Sequence, residues 1–234
     1  MFDTHITTSA DHAGQLHRDR EHAHTAILSL WHHRASSARA AVGALWTVTH
    51  ADMLTNTGHV LVRSTVPPER TPHWAHTLTT TDRSDYTPTT GEPLQLTLEL
   101  ETGRSPHIPV PRELEHALKQ GANGTPRQPG HGLAFRSRRE TVPYDELPTW
   151  ATAKLARHGI NTHTVSVLRT GTIHLPRHHN TIHPIATLTI SGTITDPETY
   201  HHALHKGLGK GKAFGLGLLR DTNHTEATQK APQN

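Results

Sequence analysis

The order of periodicities along the chain predicts an α+β protein built from two β-α-β-type units in tandem. Three observations carry that prediction. Apolar strands alternate with amphipathic helices at both ends of the sequence. A proline- and glycine-rich stretch over 103–132 lies between the two ends. The length of 234 residues, with 32% hydrophobic content, suits two compact units better than one large core.

Each element has its own signal. Residues 2–8 alternate weakly and predict a first strand. Residues 11–33 contain no proline and read as one helix, with Leu16, Ala23, Ile27, Leu30 and Trp31 on one stripe. Ser36 or Ser37 can cap a second helical stretch reaching Ala44. Residues 45–49 and 59–64 predict two strands around the turn Asn56-Thr57-Gly58, and Pro67-Pro68 ends that unit. Leu94, Leu96, Leu98 and Leu100 line one face of a further strand. Within 103–132 the only helical island is 113–119. Residues 147–158 predict a helix with Pro148 near its start. Residues 164–169 and 172–175 read as a hairpin about Thr170-Gly171. Residues 185–190 read as a strand that Ser191-Gly192 breaks and 193–195 resume. Asp196-Pro197 is an N-cap followed by a first-turn proline, opening a helix over 198–206. A last strand is expected at 216–219.

Composition excludes several classes. The chain has no cysteine, so disulfides and thiolate metal sites are absent. No apolar run approaches the ~18 residues of a membrane span, and the N-terminus lacks a signal-peptide core. A soluble, cytoplasmic protein without membrane partners is expected. The formal charge of +3 is compatible with RNA binding but does not require it. The 24 histidines include the pairs His32-His33, His178-His179 and His201-His202. They scatter through every predicted element, which fits a compositional habit better than a metal site, so neither a metal nor a cofactor is expected.

The most specific stretch is Gly207-Leu208-Gly209-Lys210-Gly211-Lys212-Ala213-Phe214-Gly215-Leu216-Gly217-Leu218-Leu219. Lys206, Lys210, Lys212 and Arg220 lie in or beside it, and no carboxylate falls between Thr199 and Arg220. Glycine backbone approaches a ligand closely, and exposed amides with fixed positive charge suit phosphates. The alternative is a flexible turn with ordinary solvated lysines.

This run matches the pattern G-hydrophobe-G-x-(G/A)-K-(A/S)-hydrophobe-G-x-G-L-L nearly throughout. It resembles the C-terminal end of the CasE-type CRISPR RNA-processing endoribonucleases, subunits of the type I-E Cascade complex. The N-terminal end is similar too: His24 to Trp31 is followed by Arg34, Ala38-Arg39 and Leu45-Trp46-Thr47-Val48. Residues 150–159 resemble the first helix of that family's second domain, whereas 65–135 resemble it poorly.

The resemblance implies two tandem ferredoxin-like (RRM-like) domains, with 1–102 as the first, 103–132 as a linking segment, 133–220 as the second and 221–234 as a disordered tail. It implies metal-independent cleavage of CRISPR repeat stem-loops that leaves a 2′,3′-cyclic phosphate. The product is then retained with other Cascade subunits, and the protein is a monomer when free. His24 matches the family's catalytic histidine, with His17 and His22 as local rivals. Imidazole suits the role because its pKa lies near neutrality. The family carries a tyrosine three residues earlier, where this chain has Glu21, so Glu21 or His22 is the candidate partner of His24. An RNA-binding assembly subunit without catalysis is the second reading. Candidate RNA contacts are Arg34, Arg39, Arg136, Arg138, Arg139, Arg169, Arg177, Lys206, Gly209, Lys210, Gly211 and Lys212. With only 4% aromatic residues, recognition of a stem-loop is favoured over stacking of single-stranded bases.

Overall fold

The computed structural model describes residues 1–32, 41–104, 140–177 and 181–222. Met1–Thr102 with Pro143–Asn234 form one compact unit, and Gly103–Val142 a second. Within the first unit lie two four-stranded antiparallel sheets.

The first sheet contains β1 (Phe2–Thr8), β2 (Leu45–Asp52), β3 (Thr57–Ser64) and β4 (Thr77–Asp82) in the order β2-β3-β1-β4. Helices α1 (Ala10–Arg18) and α2 (Arg20–Leu28) follow β1. Their apolar residues Leu16, Ala23 and Ile27 pack with Leu30 and Trp31 just beyond α2, with Trp46, and with Ile6, Val60 and Val62 of the sheet. The single helix expected over 11–33 is two helices. Ser9 caps the first through the N–H of His12, and Asp19 interrupts the path with ψ 85. Its carboxylate then accepts the N–H of His22 and caps the second. A short acidic side chain competing for backbone donors ends one helix and starts the next.

The second sheet has the order β10-β5-β9-β8, from β5 (Pro93–Glu101), β8 (Ile160–Leu175), β9 (Thr181–Ile194) and β10 (Arg220–Asp221). Helix α3 (Leu147–Ala156) precedes β8, and α4 (Pro197–Lys206) follows β9. Both sheets therefore show the strand order of a ferredoxin-like unit, and the predicted α+β class with two such units is the one observed. In the first unit, irregular residues 65–76 stand where a second helix would connect β3 to β4.

Several local expectations change. The strand at 94–100, grouped by sequence with residues 1–102, pairs with β9 and β10 of the second sheet, Leu96 opposite Ile190 and Leu98 opposite Leu188. Alternation announces a strand but not its partner. Residues 103–142 thus enter the chain between the first strand and first helix of the second ferredoxin pattern. Their described part is a two-residue ladder of β6 (Gly103–Arg104) on β7 (Glu140–Thr141). Gly171 is no turn: β8 runs through it, paired with Ile185. Ser191-Gly192 likewise lies within β9, where Gly192 faces Leu94. The edge strand β4, Thr-Leu-Thr-Thr-Thr-Asp, was not expected because its solvated face lacks an apolar alternation. Residues 216–219 are buried loop rather than strand, and only Arg220–Asp221 pair.

The expected cap of α4 is present: the Asp196 carboxylate accepts the N–H of Thr199 at 3.1 Å, and Pro197 opens the helix. No helix among the described residues is long and apolar enough to cross a membrane. Of the helical stretch expected from Ser36 or Ser37 to Ala44, residues 41–42 are helical; its earlier residues, the 113–119 island and residues 223–234 of the expected tail lie outside the described residues.

Candidate active site

The site forms where α2 meets the glycine-rich run. Gly207, Gly209, Gly211, Gly215 and Gly217 all have positive φ. Two of them show why. A Cβ on Gly217 would lie 2.0 Å from the Leu208 carbonyl oxygen, and its own N–H donates to Glu99 O of β5 at 2.8 Å. A Cβ on Gly215 would meet Arg20 Nη1 at 2.8 Å and the Trp46 ring at 3.0 Å. The run thereby presses onto both sheets, with Leu218 buried against Leu45 and Leu61. A short 3-10 turn, Lys212–Phe214, projects from it toward α2.

Arg20 holds that junction. The residue is 2% exposed. It donates to Glu99 Oε2 at 2.9 Å, to Phe214 O at 3.3 Å and to His17 O at 2.8 Å. It also lies over the Trp46 ring, 5.5 Å from the centroid. Trp46 Nε1 donates to Ala213 O at 3.2 Å. Arginine only donates, so the 3.0 Å contact between Arg20 Nη2 and His17 Nδ1 places the His17 ring proton on Nε2. Burial, followed by the Arg20 charge, pushes His17 down to about 4. His17 is therefore neutral at physiological pH. It lines a cleft of about 400 Å³ together with Glu99, Arg169 and His50.

His24 lies one turn after Arg20 on α2 and is half-buried. Its ring meets Phe214 edge to face, with centroids 6.4 Å apart. His22 lies about 200° further round the helix at ~100° per residue. Its ring meets His12, which stacks on Trp74, away from the glycine turn. Glu21 directs Oε2 to the N–H of Arg177 at 3.1 Å, tying α2 to the end of β8. The structure thus brings His24 to the glycine turn and engages Glu21 with the β8 side.

The candidate RNA contacts divide. Arg169 donates to Thr187 Oγ1 at 3.0 Å and to Glu99 Oε1 at 3.1 Å, with its side chain 55% exposed. Arg177, Lys206 and Lys210 are exposed. Lys212 Nζ donates to Lys206 O at 2.8 Å and Gly207 O at 3.3 Å, capping the C-terminus of α4. Arg34, Arg39, Arg136, Arg138 and Arg139 lie outside the described residues.

Sequence reasoning did not single out Phe214, Trp46 or Glu99, and in it Arg20 is only a basic side chain one turn from His24. Glu99 sits on the polar side of an alternating strand, which predicts solvent. Instead it is 7% exposed, between Arg20 and Arg169. A carboxylate in an otherwise leucine-alternating strand was the available signal.

Residues 1–220 match the family described as CRISPR associated protein. A Thermus thermophilus Cse3 bound to an RNA representing a pre-cleavage complex superposes with TM-score 0.65 and 17% identity, covering 94% of this chain and 98% of that one. The CRISPR-associated protein Cas6e from Escherichia coli str. K-12 gives TM-score 0.60 and 17% identity over the same shares. A chain of a CRISPR RNA-guided surveillance complex gives 0.57 and 16%, again over 94% and 98%. No curated protein matches by sequence. With residues 1–220 matched to that family, this chain belongs to the CRISPR-associated protein family.

Proposed function

We propose that this protein is a sequence- and structure-selective endoribonuclease that cleaves CRISPR repeat stem-loops in precursor transcripts. It acts as a cytoplasmic monomer before it joins a Cascade complex, where it keeps its product. The observation that carries the reading is the position of His24, an imidazole held against the glycine-rich turn one helical turn after Arg20. The shared fold supports it, because Cse3 was solved with an RNA representing a pre-cleavage complex and a similar chain is part of an RNA-guided surveillance complex.

The reaction needs no water in its first step. The 2′-oxygen loses its proton as it bonds to phosphorus. The bond from phosphorus to the 5′-oxygen breaks, and that oxygen takes up a proton. The upstream product ends in a 2′,3′-cyclic phosphate and the downstream one in a 5′-hydroxyl. His24 is the proton-transfer group. Backbone amides of the loop stabilise the charge that develops on the phosphorane. Arg20 already donates to Glu99, His17 and Phe214, so it positions the turn. Glu21, occupied by the Arg177 amide, positions α2.

A second reading is an RNA-binding assembly subunit without catalysis. It is favoured by Glu21 standing at the family's tyrosine position. Single-turnover cleavage of repeat RNA in EDTA, with a parallel gel shift, separates the two. Wild type is expected to cleave, and His24→Ala to lose about 10²–10⁴-fold in rate with affinity near wild type. Tight binding without cleavage by wild type selects the second reading. Unchanged cleavage by His24→Ala moves the role to His17 or His22.

A further inference from the structure

Lys154 lies in the last turn of α3, where helix carbonyls favour a cation. Its stem crosses the Trp150 ring, with Nζ 5.3 Å from the centroid. Its Cε and Nζ lie 3.5 Å from where a Cβ on Gly209 would stand, so the missing side chain at 209 leaves the ammonium beside bare loop backbone. The ammonium makes no hydrogen bond or ion pair among the described residues, although it is half-buried. Burial, then the charge of Arg157, lowers its pKa, and Lys210 adds to the effect. The neighbouring His158 is lowered by burial and then by Lys154, His202, Lys212 and Arg157. Glu101 is the carboxylate that acts on Lys154, and it faces His183 Nδ1 at 3.2 Å.

Like charges are thus gathered at one place, on two helix ends and a glycine loop, with little to neutralise them. Such a cluster is stabilised by an external anion with several negative groups. From this arrangement we infer that the end of α3, through Lys154 and Arg157, continues the surface of the glycine loop as a binding site for consecutive phosphates of an RNA strand. The inference deepens the proposed function and rests on it for the identity of the RNA. Its chemistry reads backbone, not bases: an ammonium and a guanidinium meeting phosphate oxygens, with the loop amides beside them. The Gly209 end of the loop is distinct from the Phe214 end that meets His24, so these phosphates are not the scissile one.

The test measures affinity against salt for the full chain, using a repeat stem-loop RNA and an unrelated RNA of equal length. The variants are Lys154→Met, which keeps the stem over Trp150, and Arg157→Gln at an exposed position, each checked for folding by circular dichroism. Each variant is expected to weaken binding about tenfold at low salt. Each should flatten the slope of log affinity against log salt by about one unit. The loss should be equal for both RNAs. Wild-type slope and affinity in both folded variants overturn the inference and leave the functional reading intact. A loss confined to the repeat RNA also overturns it, because that is base or shape readout. If wild type binds both RNAs alike yet the variants flatten both slopes, the phosphate site stands and the repeat-selective reading falls.

Discussion

Replacing Arg20 by alanine removes the group that joins α1, α2, β5 and the glycine-rich turn. The direct consequence falls on Glu99, whose side chain is 6% exposed and loses its 2.9 Å partner. Removing one member of a buried pair costs about 3–5 kcal/mol. Arg169 still reaches Glu99 Oε1 at 3.1 Å, so the lower end, about 3 kcal/mol, applies. For a chain of this size that is roughly 6–12 °C in melting temperature. The Phe214 carbonyl also loses its donor, so the ring beside His24 is held less firmly. The assay is thermal unfolding of wild type, Arg20→Ala, Glu99→Leu and the double variant Arg20→Met/Glu99→Leu. The single variants should be the least stable, and the double variant should recover most of the loss because no uncompensated charge remains. A shift of under about 1 °C in Arg20→Ala would refute the reasoning. So would a double variant as unstable as the sum of the two singles.

Gly217→Ala should cost more than about 2 kcal/mol. Left-handed strain alone is worth roughly 1–2 kcal/mol, and the new Cβ would sit 2.0 Å from the Leu208 oxygen. Gly91→Ala, with φ +83 and nothing within 4 Å, should cost only the strain, and equal losses would contradict the close-approach account. Lys212→Met should lower stability by about 1 kcal/mol by uncapping α4 and flatten the salt dependence of RNA binding by just under one unit. An unchanged slope would reduce Lys212 to a helix cap. Stability should fall as pH drops from 6.5 toward 4. Burial and then Arg20 hold His17 at about 4, and burial and then His201 do the same for His205. Across that window the unfolded chain binds more protons than the folded one. His17→Asn with His205→Gln should flatten urea midpoints between pH 7 and 5, and an unaltered pH slope would show that these rings titrate normally.

The sequence alone determined the features set by neighbours along the chain. Alternation located β1, β5 and most of β9, and the stripe from Leu16 to Trp31 identified the helical face that is buried. Asp196-Pro197 located the start of α4. The glycine spacing and His24 carry the family resemblance independently of any strand pairing. All of these rest on short-range periodicity, capping chemistry or motif spacing, which are written locally. Partnership across distance was decided only by the tertiary structure. The leucines of β5 satisfy either sheet equally well, and backbone pairing with residues from Ala186 to Gly192 is what assigns them to the second. Glu99 reads as a solvated carboxylate until Arg20, 79 residues away in sequence, meets it in the interior. His22 and His24 are equivalent imidazoles on paper. Their roles separate only because one side of α2 packs toward His12 and Trp74 and the other faces Phe214. The physical reason is that burial and charge pairing are properties of the space between elements, and a linear pattern specifies only which face of each element seeks that space.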